Sequence, residues 1–144
     1  MKISEKGVTL IKQFEGLALR AYLCPAGVLT IGYGHTGKDV FAGQTITEAD
    51  ASELLRKDVA RFEAAVNRYV ASEINQNQFD ALVSFTYNVG EGALQKSSLL
   101  RLVNNNPSDP AIQQAFLMWT KAGGKILPGL ERRRKAEADL YFGK

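Results

Sequence analysis

The segment from residue 18 to residue 33 constrains the fold more than any other. Ala18-Leu19-Arg20-Ala21-Tyr22-Leu23-Cys24 reads as a strand, and Pro25-Ala26-Gly27 has the chemistry of a turn. Val28-Leu29-Thr30-Ile31-Gly32-Tyr33 then reads as the returning strand. Residues 34–43 are loop-like, with one more short strand expected near Asp39-Val40. The prediction is a small antiparallel sheet, the only sheet in the chain.

Everything else carries a helical period. Residues 4–15 predict a first helix, with Ser4 as N-cap and Val8, Leu10, Ile11 and Phe14 at 3–4 spacing. Gly7 weakens that helix, whereas Gly16 is placed to terminate it. Thr47-Glu48-Ala49-Asp50 resembles a capping box and opens a long helix over 48–70, with Ala51, Leu54, Leu55, Val59, Phe62, Ala65, Val66 and Tyr69 on one broad face. Asn75 with Gln78 opens another over 76–89, which Gly90 ends. Further helices are predicted over 92–104, over 109–121 (Ser108 as cap, Gly123-Gly124 as stop) and over 130–141 after Pro128-Gly129.

The expected architecture is therefore α+β in a single domain, 1–144. An N-terminal α/β lobe of about 1–47 is joined by a bridging helix, about 48–70, to an all-helical lobe of about 71–144. A ligand cleft is expected between the lobes. At 144 residues and 45% apolar content the chain can bury one core. No apolar run approaches the ~20 residues a membrane helix needs, and the start Met1-Lys2-Ile3-Ser4-Glu5-Lys6 has no apolar signal core. A single Cys, Cys24, excludes an intramolecular disulfide and any multi-cysteine metal site. The net charge of +3 and pI near 9.0 fit either a solvated surface or attraction to a polyanion.

Residues 14–36 gather chemically diverse groups: the only Cys, the only His, a Glu at a helix end and a Thr in a Gly-rich run. Glu15 at a helix C-terminus faces the negative end of the dipole, which favours the protonated form that a general acid needs; from local sequence alone an exposed helix end is the commoner reading. Thr30 is either a β-former or a hydroxyl that holds water. His35 among glycines is best read as a structural hydrogen-bonding residue, since one His and one Cys make a poor metal site. Cys24 is an inert thiol or a group facing a cleft. In Arg132-Arg133-Arg134 only part of the run can point one way, toward a carboxylate or an anionic substrate, while the rest faces solvent.

Read in order, Glu15-Gly16, Ala21-Tyr22, the run Gly27 to Thr36 (Gly-Val-Leu-Thr-Ile-Gly-Tyr-Gly-His-Thr), Ile46-Thr47, the run Asn75 to Phe85, Tyr87-Asn88-Val89-Gly90 and Gly129-Leu130-Glu131-Arg132-Arg133-Arg134 resemble phage-type lysozymes, the endolysins of glycoside hydrolase family 24. The resemblance covers nearly the whole chain. It implies a lysozyme-like fold and a muramidase that cleaves the β-1,4 bond between N-acetylmuramic acid and N-acetylglucosamine in peptidoglycan. The family's Glu matches Glu15 and its Thr matches Thr30. Its Asp falls on Cys24, a departure that some phage endolysins share. Cys24 would serve as a thiolate base for water, as a nucleophile on the sugar, or as a bystander. The resemblance also implies supporting or substrate-binding roles for Tyr33, His35, Asn88, Arg132 and Arg133.

No cofactor and no metal are expected. The expected partner is peptidoglycan, whose stem carboxylates suit a basic protein; nucleic acid, stable membrane insertion and an oligomer are not expected. The protein is expected to be made in the host cytoplasm without a visible signal peptide and to reach the periplasmic face of the wall through a membrane lesion, unless an export anchor was trimmed. Three alternatives remain: a catalytically weak or silent peptidoglycan-binding domain, a lytic transglycosylase, and a Cys24/His35 thiol peptidase.

Overall fold

The computed structural model describes residues 1–144. In chain order the elements are α1 (Glu5–Glu15), β1 (Ala18–Leu23), β2 (Leu29–Gly32), β3 (His35–Thr36), α2 (Glu48–Tyr69), α3 (Gln76–Val89), α4 (Glu91–Lys96), α5 (Ser98–Asn105), α6 (Ala111–Leu117), β4 (Lys121–Ala122), β5 (Lys125–Ile126) and α7 (Pro128–Tyr141). The α+β class and the small antiparallel sheet near the N-terminus are as expected. No helix is long and apolar enough to cross a membrane. The chain divides into two compact units, one formed by residues 11–61 and the other by residues 1–10 with 62–144.

The 11–61 unit is built on the sheet β1-β2-β3, antiparallel throughout. Its third strand is His35-Thr36 and not the Asp39-Val40 segment, because the tight Tyr33-Gly34 turn brings the chain straight back onto β2. The outer edge of β1 is covered by residues 44–46: Ala21 N donates to Gln44 O at 2.9 Å and Ile46 N to Leu19 O at 2.9 Å. Thr47 and Asp50 form the expected capping box of α2, each side chain accepting from the other's backbone N–H at 3.1 Å. Ile11, Ile31, Tyr33, Val40, Ala51, Leu55 and Val59 are the buried apolar residues of this unit.

In the other unit α3 is buried on almost every side, from Phe79 through Thr86, as a helix enclosed by neighbours must be. It packs along α7, which also packs on α6. Edge-to-face rings run from Trp119 through Phe85, Phe116 and Tyr141 to Phe142, with centroids 5.0–5.8 Å apart. The predicted bounds of α3 hold because Asn75 and Gln78 form a complete capping box and Gly90, at φ 96°, ends the helix.

Three expectations fail here for local reasons. The helix predicted over 92–104 is two helices, since Ser97 is extended (φ −75°, ψ 149°). Its hydroxyl donates to Leu94 O at 2.7 Å and accepts from Leu100 N at 3.0 Å, a side-chain competitor for the backbone ladder. The helix predicted over 109–121 ends at Leu117 and is not capped by Ser108: its N-cap is Pro110, and the Asp109 Oδ1 just before it accepts from Ala111 N at 2.9 Å. Beyond it lies a second sheet, β4-β5, so the first is not the only one and this part of the chain is not all-helical. Gly123 and Gly124, at φ 58° and 80°, are the central pair of its two-residue turn, the left-handed geometry of a type I′ hairpin.

Ser4 spends its side chain on tertiary structure. Its Oγ donates to Asp80 Oδ2 and its N–H to Asp80 Oδ1 at 3.0 Å, while Gln76 Nε2 also donates to Oδ1 at 2.8 Å. This explains the helix-weakening Gly7. A Cβ there would stand 2.6 Å from Ile3 Cγ1 and 2.8 Å from Asp80 Cγ. Gly7→Ala, stabilising in an exposed helix, is therefore expected to destabilise this protein by about 1–3 kcal/mol. Urea unfolding of the two proteins measures it, and a gain in stability would refute the close approach.

Candidate active site

The site begins with a hairpin. Cys24 N donates to Val28 O at 3.0 Å and Gly27 N to Cys24 O at 2.8 Å, leaving a three-residue loop with Gly27 at φ 79°. That is a turn followed by a left-handed residue, a conformation glycine adopts without strain. Pro25 at the first loop position has its φ preset for such a turn. The closure fixes the register Leu23↔Leu29 and Tyr22↔Thr30.

Cys24 and Thr30 are brought together. Thr30 is 4% exposed, and its Oγ1 donates to Val28 O at 3.0 Å. Cys24 is half-buried. The backbone amide of Val28, then that of Ala26, hold its thiol pKa below the ordinary value. Partial burial opposes them, and the Thr30 hydroxyl and Gly27 amide add to the lowering. A thiol pKa lowered in this way means more thiolate at neutral pH than free cysteine carries. Glu15, half-buried, is the last residue of α1; Gly16 follows at φ 73° with its N–H on Lys12 O at 3.1 Å.

Tyr33 is buried beneath Lys12, whose Nζ stands 5.2 Å from the ring centroid and donates to Ser52 Oγ at 2.8 Å. His35 lies opposite Ile31, one residue out of phase with Thr30, so it faces away from the thiol. Its Nδ1 meets Asp58 Oδ2 at 2.7 Å and its Nε2 meets Asp39 at 2.9–3.0 Å. Both ring nitrogens are engaged, as a structural histidine's should be. No group of three His, Cys, Asp or Glu side chains is arranged to hold a metal ion.

Asn88, Arg132 and Arg133 belong to the other unit. The arginine run divides as its spacing requires: Arg132 is exposed, whereas Arg133 and Arg134 are buried. Both buried arginines converge on Glu137, itself 0% exposed. Arg133 Nε donates to Oε2 at 3.1 Å, Arg134 Nη1 to Oε1, and Ser84 Oγ to Oε2 at 2.6 Å. Arg134 Nη2 donates to Asn88 Oδ1 and its Nε to Trp119 O at 2.9 Å. The sequence reading names Arg134 only as one of the arginine run, and Glu137 and Ser84 are absent from it, although the i,i+3 and i,i+4 spacing to Glu137 is a readable signal.

Burial is the largest influence on the His35 pKa and lowers it. The hydrogen bonds and charges of Asp58 and Asp39 together outweigh it and raise the pKa above the ordinary value. The hydrogen bond from His35 holds the Asp39 carboxyl below its usual range. A raised folded-state pKa contributes stability fully below the unfolded value of about 6.5 and loses it as pH climbs through the folded pKa. The depressed Asp39 sets the other limit, losing its share as pH falls through its own folded pKa. His35→Asn is therefore expected to cost about 1–2 kcal/mol near pH 5.5 and clearly less at pH 9. Urea unfolding at both pH values tests this, and an equal cost at both would contradict it.

Comparison with known proteins places the chain in a family. Residues 12–137 match the family model described as phage lysozyme. The endolysin of Bacillus phage B103 is 47% identical over 144 residues, which are 99% of this chain and 54% of that protein. The endolysin of Salmonella phage P22 is 43% identical over 96% of this chain and 97% of its own. Among solved structures, the muramidase domain of SpmX from Asticaccaulis excentricus superposes with a TM-score of 0.89 at 43% identity, covering 97% of both chains. The chain thus spans about half the length of the Bacillus phage relatives that it matches and nearly all of the P22 protein. By these matches the chain belongs to the phage lysozyme family.

Proposed function

We propose that this chain is a muramidase that hydrolyses the β-1,4 bond between N-acetylmuramic acid and N-acetylglucosamine in bacterial peptidoglycan, in the service of host cell lysis. The observation that carries the reading is the Cys24–Thr30 pair. A thiol with lowered pKa and a buried hydroxyl share one end of a hairpin, at the positions where the resemblance to the family expects an acidic group and a threonine. Membership of the phage lysozyme family, and relatives named endolysin and muramidase, support the same reaction class.

In this mechanism Glu15 is the general acid. Its proton passes to the leaving glycosidic oxygen as the C–O bond breaks and positive charge grows on the sugar. A water molecule held by Thr30 attacks the anomeric carbon and gives its proton to the Cys24 thiolate; exchange with solvent then takes that proton from the thiol and returns one to Glu15. In the retaining variant the thiolate itself attacks that carbon, and water hydrolyses the thioglycoside in a second step. The net charge of +3 favours association with the carboxylates of peptidoglycan stems. The protein works as a monomer, without nucleic acid or cofactor, on the wall side of the membrane after release through a membrane lesion.

The test is product analysis of digested peptidoglycan. Wild type is expected to release N-acetylmuramic acid reducing ends. Glu15→Gln is expected to lower the rate about 10²–10⁴-fold, the span of a lost general acid. Cys24→Ser is expected to lower it comparably, with Cys24→Asp retaining activity. Full activity in Cys24→Ser would remove the thiol from the mechanism. Anhydro-sugar ends would reassign the enzyme as a lytic transglycosylase, peptide ends as a peptidase, and no cleavage as a binding domain. The anomer formed first separates direct water attack from the covalent route.

A further inference from the structure

Tyr22 is a large aromatic residue left 46% exposed, and its position in the sheet gives that exposure meaning. The register sets Tyr22 directly opposite Thr30 across the β1–β2 ladder. Residues paired in this way project to the same face, with Cβ atoms about 4.5–5.5 Å apart. Cys24 follows Tyr22 by two residues, and its thiol meets the Thr30 hydroxyl. One face of one hairpin therefore presents an aromatic ring, a hydroxyl and a thiol side by side. Thr30 is buried at this point while Tyr22 stays open to solvent.

An exposed ring of this size forgoes burial that would otherwise stabilise the fold. The hairpin does not depend on it, since the Cys24 to Val28 and Gly27 to Cys24 hydrogen bonds close the turn without it. A tyrosine has an apolar ring face and a polar rim, and so does a pyranose: one face of axial C–H bonds, with hydroxyl and N-acetyl groups around the edge. The two complement each other by stacking, and the stack leaves the rim groups free to hydrogen-bond.

We infer that Tyr22 is a positioning residue whose ring forms the platform for an N-acetylhexosamine unit of the glycan next to the bond addressed by Cys24 and Thr30. This inference rests on the muramidase reading above and deepens it by naming a residue that holds the sugar. Tyr22 takes no proton and forms no bond with the substrate. It fixes the height and tilt of one sugar ring over the hairpin, and the anomeric carbon next to it is held within reach of Thr30-bound water. Stacking needs the aromatic face and not the hydroxyl, so the side-chain requirement is specific.

The experiment is steady-state kinetics on solubilised peptidoglycan glycan strands for wild type, Tyr22→Phe, Tyr22→Leu and Tyr22→Ala, with Glu15→Gln alongside. Tyr22→Ala and Tyr22→Leu are expected to raise KM about tenfold, with the loss concentrated in KM rather than kcat, and Tyr22→Phe to restore KM to within about threefold of wild type. Melting temperatures of all three variants are expected within about 2 °C of wild type, because the side chain is exposed. Isothermal titration of a β-1,4-linked N-acetylglucosamine oligomer into Glu15→Gln, with and without Tyr22→Ala, reads the same contact without turnover and is expected to show a matching weakening. A wild-type KM in Tyr22→Ala or Tyr22→Leu overturns the inference, as does a loss in Tyr22→Phe equal to that in Tyr22→Ala. If those results come with abolished turnover in Glu15→Gln, the inference alone falls. Undiminished turnover in Glu15→Gln removes the muramidase reading and the inference with it.

Discussion

Two backbone hydrogen bonds, from Cys24 N to Val28 O and from Gly27 N to Cys24 O, set the register on which the candidate chemistry depends. A three-residue loop leaves the strands one way to pair, and a slip by one residue would turn Thr30 to the opposite face of the sheet. The same loop supplies the backbone amides, Val28 first and then Ala26, that lower the thiol pKa. One turn thus performs two tasks: it aligns Thr30 with Tyr22 and Cys24, and it favours the charged form of the sulfur. The family's usual carboxylate would be ionised at neutral pH without help. A cysteine at the same place needs donors, and this turn has them.

The other unit is held by a polar cluster inside an apolar frame. Glu137 is fully buried and accepts from Arg133, Arg134 and Ser84. The second carboxylate oxygen and the second guanidinium extend the network to Asn88 and to the Trp119 carbonyl. A buried ion set contributes less to stability than its number of contacts suggests, because each charge has lost its hydration. Its firmer consequence is geometric: both ion pairs lie within α7, and α7 can slide or rotate against α3 only by breaking the buried hydrogen bonds that Ser84 and Asn88 of α3 make with Glu137, Arg133 and Arg134. The aromatic chain from Trp119 to Phe142 meets this cluster at Phe85, whose ring centroid lies 5.1 Å from Arg134 Cζ.

Much of this is readable in the residues where a local signal is complete. The Asn75/Gln78 and Thr47/Asp50 boxes, Gly16 and Gly90 carry their own stop and start geometry, and the helices they bound match expectation. Cys24 and Thr30 come together because a Pro-Ala-Gly turn between β-forming runs admits few registers. Local signals fail where two structures share one signal. Gly123-Gly124 can stop a helix or make a hairpin, and only the pairing of Lys121-Ala122 with Lys125-Ile126 decides. Ser97 sits in an unbroken helical period and still breaks it, because its hydroxyl takes over a backbone partner. Burial of Arg134 and Glu137 depends on what α3 and α6 bring to them, which no spacing within α7 states.

The central claim is that the hairpin activates Cys24, and the pH dependence of Cys24 alkylation tests it most directly. Mass-spectrometric rates with iodoacetamide across pH 5–10 should give a single ionisation with its midpoint below that of free cysteine, about 8.5. Thr30→Val should move the midpoint upward, toward the free value. A midpoint at or above that of free cysteine would contradict the account.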